Sequence, residues 1–383
     1  MRSAIVHYWL LGMRGGEAVV ESLARLLPDA PIYTLFYDPE RVSPFLRSRV
    51  VNASFLNPLR RAYRSLLPLM PLALEAFDLR EYDLVVSSES GPAKGVLVSS
   101  HSRHICYCHS PMRYLWDLYP AYLHEWTRSA FKRTLMMPLT NYLRLWDYAS
   151  ASRVDDFVAN SANVRNRIWR AYRRDSQIVC PPVPVETFYN GTPDDYYLIV
   201  SELVAYKRVA DAIRCFSKTN RRLKIVGQGP EYQSLRGMAG PAVEFCGRVS
   251  GAALRSLYAH CRAVVVPGVE DFGIVPVEAI ASGKPVIALG QGGVLESVPE
   301  RSPRAGFFYR QPGEEHLAQA LSEFEREEVR LSAPAIQAAA ARFSTAHFES
   351  TMRSLIFSNV AFTKPSQAPN DTRPLNALTY GRA

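Results

Sequence analysis

The chain has 383 residues, of which 48% are apolar and 21% charged, and carries a formal charge of +9. That length predicts two domains, each able to bury an ordinary core, and the composition excludes a disordered, fibrous or collagen-like chain. The basic balance favours anionic partners, but no lysine/arginine cluster is joined to a zinc-finger or RNP signature, so no nucleic-acid partner is expected.

The chain starts with MRSAIVHYWLLGMRGG, apolar but interrupted by His7 and lacking a small-residue cleavage site, which reads as a first buried strand rather than a signal peptide. A strand is expected over 4–10, then a helix after a Gly15-Gly16 turn, with Val19, Val20, Leu23 and Leu26 on one face. Further strands are expected at 32–37, 84–89 and 104–109, followed by a strand ending at Ala159 and a helix capped by Asn160 or Ser161. Two basic segments, FLNPLRRAYRSLLPLM (55–70) and WTRSAFKRTLMMPLTNYLRLW (126–146), have helical apolar spacing. Such segments lie on anionic membranes or turn an apolar face to a soluble core, and the pattern leaves both open. The six cysteines are scattered, and Cys106-Tyr107-Cys108 lacks zinc-knuckle spacing; buried thiols in a reducing cytosol are expected. No stretch reaches the roughly 18 apolar residues of a membrane span.

The proline-rich stretch 179–195 reads as a linker, after which the alternation of strand and helix restarts. Strands are expected at 196–203, 223–227, 243–247 and 263–268, with helices at 208–217, 250–260 and 275–282. From about 315 the chain becomes helical, and after Pro365 it is polar and expected to be loose. The expected division is 1–182, 183–345 and a terminal 346–383, with two doubly wound α/β units facing across a cleft.

PGVEDFGIVPVEAIASGKPVIA (267–288) carries the sharpest chemistry. A buried strand ends at Pro-Gly, and Pro276 suits the first turn of a helix, with Val275 before it pushed out of helical geometry. The amides of Gly273, Ile274 and Val275 are then unpaired and form an anion site suited to phosphate, while Gly273 allows close approach. Glu278 would meet a neutral diol such as ribose, and Glu270 a sugar hydroxyl. The same residues also fit a dipole-complementing Glu278 with Glu270 in a solvated turn, and the pattern alone does not choose.

This stretch resembles the E-x7-E motif of the family 4 retaining glycosyltransferases of GT-B fold. The resemblance extends over roughly 1–345 through ordered motifs: RGGEAVVESLARLLPDAPIYTLFYDP, HSPMRYLWD (109–117), NSANVRNRI (160–168), YLIVSELVAYKRVADAI (197–213), IVGQGPE (225–231) and EFCGRVS (244–250). It implies that Glu270 contacts the transferred sugar, Glu278 the ribose, and Phe272, Gly273, Ile274 and Val275 the diphosphate. Lys207 would neutralise the leaving phosphate, with Arg208 beside it, and His109 would face the transferred sugar. Gly15 and Gly16 would approach the donor from the N-terminal half, Gly227 and Gly229 would form a donor-side turn, and Arg248 and Val249 would hold the base. The implied reaction retains configuration by front-side attack and needs no metal or other cofactor. The implied partners are a nucleotide-diphosphate sugar, with GDP-mannose favoured by similarity to the mannosyltransferase-like subgroup, and a lipid-linked saccharide acceptor in bacterial polysaccharide or lipopolysaccharide assembly. An anionic membrane surface and a cytoplasmic location, peripheral on the inner membrane face, go with that reading.

One residue departs from the pattern. Where many relatives have arginine before the lysine, this chain has Glu202. Arg208 would have to supply the second charge, or one cation suffices, or turnover is impaired. The last case motivates the alternative of a non-catalytic, nucleotide-sugar-binding subunit. GMRGG does not complete G-x-G-x-x-G, so a dehydrogenase lacks its main support.

Overall fold

The computed structural model describes residues 1–119, 130–219 and 221–358. The expected loose tail after Pro365 and the start of the 126–146 segment lie outside them. Two parallel sheets form the molecule. The first has seven strands in the order β3-β2-β1-β4-β5-β6-β7: β1 (Ser3–His7), β2 (Ile32–Thr34), β3 (Val51–Ala53), β4 (Leu84–Glu89), β5 (Arg103–Cys108), β6 (Asp156–Ala159) and β7 (Ser176–Ile178). The second has six in the order β10-β9-β8-β11-β12-β13: β8 (Tyr197–Val200), β9 (Leu223–Val226), β10 (Val243–Gly247), β11 (Val264–Val266), β12 (Val286–Leu289) and β13 (Gly306–Tyr309). Every position of β4, β11 and β12 is buried. This is why β11 and β12 read as continuous apolar runs and not as alternations, parallel strands being covered on both faces, whereas β4 buries Ser87, Ser88 and Glu89 at its carboxyl end. The two doubly wound α/β units expected from the residues are present.

Several local expectations need correction. The first strand ends at His7, and the chain beyond it continues beside its neighbour only irregularly, through the Leu35 N–Tyr8 O bond and an isolated Leu10–Tyr37 bridge. Gly15 and Gly16 are not a turn but the first residues of α1 (Gly15–Leu26). Arg14 starts that helix, and its amide donates to the Glu17 carboxylate (3.0 Å), which satisfies an N–H that would otherwise be orphaned. Segment 55–70 is not an α-helix. It is a 3-10 run over Asn57–Leu69, interrupted at Leu59 and Ala62, before a helix over Met70–Glu75. Pro68, inside the run, removes an amide donor and interrupts an α ladder there, whereas Pro58 sits in the first turn, where its missing N–H costs nothing.

Three more helices matter for the site: α2 (Ala130–Ser150) packs beside the 3-10 run, α3 (Ala162–Tyr172) is capped by Ser161, whose Oγ accepts from Val164 N at 3.1 Å, and α4 (Val209–Ser217) follows β8. After β10 comes α5 (Gly251–His260), after β11 α6 (Ile274–Ala281), and after β13 α7 (Glu314–Glu327). The last described helix, α8 (Thr345–Phe357), returns to the first sheet. Its Phe348, Met352, Leu355 and Ile356 share one core with Val19 and Leu23 of α1 and Tyr107 of β5. Among the described residues no helix is long and apolar enough to cross a membrane. All six cysteines are free; four are buried, and Cys180 and Cys246 are half-buried.

Candidate active site

Strand order reverses between β1 and β4 and again between β8 and β11. At such points successive connections leave in opposite directions and open a crevice at the carboxyl ends of the strands. The two crevices face each other and enclose a cleft of about 470 Å³. One wall carries Tyr8, Gly15, Gly16, His109 and Arg113; the other carries Ser201, Glu202, Lys207, Glu270, Phe272, Gly273, Ile274 and Val275.

On the second wall, Gly273 precedes α6 with φ 92°, a left-handed conformation that glycine adopts without strain, and a Cβ there would lie 3.0 Å from Pro276 Cγ. Pro276 occupies the third helical position. Val275 is helical, contrary to the expectation from its place before proline; the first turn absorbs the pre-proline restriction. The amides of Gly273, Ile274 and Val275 meet no acceptor among the described residues. Directly opposite stands the N-terminus of α1, so close that a Cβ on Gly15 would lie 2.4 Å from Ile274 Cδ1. Two positive helix ends therefore converge on one cavity.

Lys207 closes a single 3-10 turn after β8, and its Nζ donates to both Glu270 oxygens at 2.6 Å. Their positions are fixed by backbone. Gly268 packs so tightly on Lys207 that a Cβ would meet the Lys207 Cα at 2.7 Å, and Glu270 O accepts from Gly293 N at 2.8 Å. Glu278 lies one turn into α6 and turns toward α5, where it accepts from Tyr258 Oη at 2.7 Å; burial pushes its carboxyl up to about 7.

Arg208 is not in the cleft. It adopts φ 55°, donates from Nε to Asp211 Oδ2 at 2.9 Å and is not among the lining residues. Gly227 and Gly229 follow β9 and have a packing reason to be glycine: Cβ atoms would lie 1.8 Å from Ser201 O and 2.2 Å from Leu203 O. Exposed Arg248 and half-buried Val249 follow β10. These residues and Glu278 lie outside the cavity lining, yet the loops after β9 and β10 leave the same edge of the sheet as Lys207 and Glu270.

On the first wall, His109 follows β5, and its Nε2 is 2.9 Å from Ser88 Oγ. Burial brings its pKa down to about 4. A Cβ on Gly16 would be 3.6 Å from that nitrogen. The sequence reading missed His7, which is fully buried with Nδ1 2.9 Å from Ser88 O and Nε2 unpartnered; burial, then His109, brings it to about 3. The signal was present in a histidine that interrupts an apolar strand. Behind the wall, Lys94, Glu89 and Asp147 form a wholly buried ion cluster, closed by Trp116 Nε1 and Tyr172 Oη donating to Asp147 at 2.7 and 2.9 Å. Burial would push Lys94 down, but the two acids outweigh it and hold it above its usual range.

The walls are bridged. Asp271 Oδ1 lies 3.5 Å from Arg113 and 3.2 Å from Arg167, its carbonyl accepts from Ser161 Oγ at 2.7 Å, and Glu296 accepts the Ala162 and Asn163 amides at 2.6 and 2.8 Å. Arg14 reaches across to Glu202 at 3.5 Å. Among the described residues no three His, Cys, Asp or Glu side chains converge as metal ligands would.

Comparison with known proteins matches both halves. The family described as Glycosyltransferase Family 4 matches residues 13–196, and Glycosyl transferases group 1 matches 189–342. An uncharacterized glycosyltransferase of Methanocaldococcus jannaschii is 35% identical over 120 residues, 28% of this chain and 31% of that protein. The phosphatidyl-myo-inositol mannosyltransferase of Mycobacterium leprae is 45% identical over 83 residues, 20% of this chain and 21% of that protein. The chain thus spans about a third of the length of the first of these curated relatives and about a fifth of the other. Among solved structures, Anabaena HepE in complex with UDP and glucose superposes with TM-score 0.66 at 17% identity, over 94% of this chain and all of that one. Sucrose-phosphate synthase of Thermosynechococcus elongatus gives 0.69 at 17% identity, over 93% and 98%. At that identity the likeness is one of fold.

Proposed function

The chain belongs to the family 4 glycosyltransferases of GT-B fold, and from that premise we propose that it moves a hexosyl group, with retention and without a metal, from a nucleotide-diphosphate sugar to a saccharide acceptor. The observation that carries this reading is the row of unpaired α6 amides beside the Lys207–Glu270 pair, facing the end of α1 across the cleft. The diphosphate rests on the amides of Gly273 to Val275, and Glu278 takes the ribose. Gly227, Gly229, Arg248 and Val249 border the nucleoside. Residues 183–345 hold the donor, and 1–182 the acceptor.

In the chemical step the bond from the sugar's anomeric carbon to the phosphate oxygen breaks, and the acceptor oxygen bonds to that carbon on the same face. The acceptor's proton passes to the departing phosphate oxygen. Lys207 offsets the negative charge that builds there, which is where a fixed cation in a closed cleft contributes most. Glu270 accepts from hydroxyls of the transferred sugar. His109, uncharged at neutral pH with its pKa near 4, orients that sugar as a neutral hydrogen-bonding group and is not the acid of the reaction.

GDP-mannose is the favoured donor, supported by the stretch shared with a mannosyltransferase; UDP-hexoses compete, because a structural neighbour was solved with UDP and glucose. A lipid-linked acceptor, in bacterial polysaccharide or lipopolysaccharide assembly, is supported by exposed Phe55, Leu59, Leu69 and Leu72, and by exposed Tyr142 and Leu145 of α2, the helix that packs beside that segment through Leu67. Arg60 and Arg61 lie among them, and apolar side chains with basic neighbours suit an anionic membrane surface. The test is incubation of the purified chain with labelled GDP-mannose or UDP-glucose and a lipid extract. Transfer to an extractable lipid supports the proposal. Donor binding without transfer or hydrolysis supports the alternative of a non-catalytic donor-binding subunit, which Glu202 in the cleft lining favours.

A further inference from the structure

A diphosphate ester brings two negative charges, and the cations of the cleft are largely committed. Lys207 holds both oxygens of Glu270. Arg113 stands 3.5 Å from both Asp117 and Asp271. Arg208 is bonded to Asp211 away from the cavity. Glu202 adds a further negative charge to the lining itself.

Arg14 differs from all of these. It immediately precedes Gly15 and Gly16, which line the cavity, so its backbone is fixed at the end of α1. Among the described residues Glu202 is the one acid in ion-pair range of its guanidinium. That contact, at 3.5 Å, is too long for a good hydrogen bond, and the arginine side chain is 69% exposed. Exposed pairs of this kind hold weakly. A guanidinium facing a phosphate donates two parallel N–H bonds, a stronger arrangement that lysine does not reproduce. The residue after Arg14, Gly15, stands against the Ile274 side chain at the start of α6, and the flexible arginine side chain has only to change partner to reach into the cleft. Glu202, already 38% exposed, returns to water at little cost.

We propose that Arg14 is the arginine that binds the donor diphosphate in this cleft, and that Glu202 holds it across the opening until the donor displaces it. The proposal rests on the donor reading above. It supplies from the first domain the cation that position 202 of the second lacks. It also makes the pair a partner exchange: the arginine that faces Glu202 across the two walls is the one the diphosphate recruits.

The exchange has a sign that a mere tether lacks. If the pair only held the walls together, removing either partner would affect nucleotide binding in the same direction. Under the proposal the two substitutions oppose each other, because Glu202 competes with phosphate for Arg14. The test is calorimetric titration of UDP and of GDP into the full chain and its variants at low salt. R14Q should weaken binding about five- to tenfold, the scale of losing one charge-assisted contact. E202Q should tighten it about two- to fivefold, and the double variant should match R14Q. R14K should recover only part of the loss. Uridine and guanosine, which carry no phosphate, should bind all variants alike, and added salt should narrow the differences. Wild-type binding left unchanged by R14Q, or weakened by E202Q, overturns this inference alone. No wild-type binding of either nucleotide overturns the donor reading and this inference together.

Discussion

The two walls of the cleft handle charge in opposite ways. On the first, the groups at and behind His109 are neutral or enclosed: burial brings His7 to about 3 and His109 to about 4, and Lys94, Glu89 and Asp147 close on one another with no exposure at all, while the cations at its rim, Arg14 and Arg113, face Glu202 and Asp271 of the other wall. On the second, Lys207 and Glu270 remain 18% and 20% exposed, and the α6 amides stay open. The contrast fits the proposed function, with an anion at the open α6 amides and a neutral sugar beside His109. It also separates residues that hold a wall in place from residues that act in the cavity.

The largest expected effect lies behind the first wall. Lys94→Met leaves two carboxylates in a dry interior and should cost about 3–5 kcal/mol of stability in a denaturant titration. Lys207→Met should cost far less, since its partner can reach water. Equal losses would erase the contrast. Next comes activity: Lys207→Ala should lower kcat about 10²- to 10³-fold with the fold intact, the scale for one lost transition-state donor. Near-normal turnover would remove Lys207 from the chemistry.

A smaller effect is expected at Gly273. Gly273→Ala forces a side chain into φ 92° and against Pro276, which should cost about 1–3 kcal/mol of stability and reduce donor affinity as well. An alanine variant with unchanged melting temperature and affinity would show that the amide row does not depend on that turn.

The smallest effect is a pH dependence. Burial raises the Glu278 carboxyl from its ordinary value near 4.5 to about 7, so the folded chain keeps a proton that the unfolded chain releases. The stability contributed by this group is therefore complete below about 4.5 and declines as pH rises to about 7, with no further change above. Under the proposed function the ribose hydroxyls donate to the charged form. Affinity for an intact nucleotide sugar, whose phosphates do not titrate in this range, should rise several-fold between pH 6 and pH 8, and Glu278→Gln should flatten the profile.

What could be read in the residues follows the same division. The second domain was legible because its strands are short apolar runs and because Gly273 and Pro276 punctuate α6, which places Glu270, the open amides and Glu278 by local rules. Most of the first wall was not. His7 and Ser88 lie 81 residues apart and meet only through the pairing of β1 with β4. The ties of Asp271 to Arg113 and Arg167 exist only once two domains close. The return of α8 to the first core likewise leaves no local mark, since its apolar face would suit either domain. The misread segment at 55–70 had the right apolar spacing, but its backbone breaks at Leu59 and Ala62 and carries Pro68 inside the run.

The central claim is that the open end of α6 grips a diphosphate. The most direct measurement is a crystal structure of the full chain with UDP or GDP. The account predicts phosphate oxygens within hydrogen-bonding distance of the Gly273, Ile274 and Val275 amides, with the ribose at Glu278. A nucleotide bound elsewhere, with those amides facing only water, would contradict it.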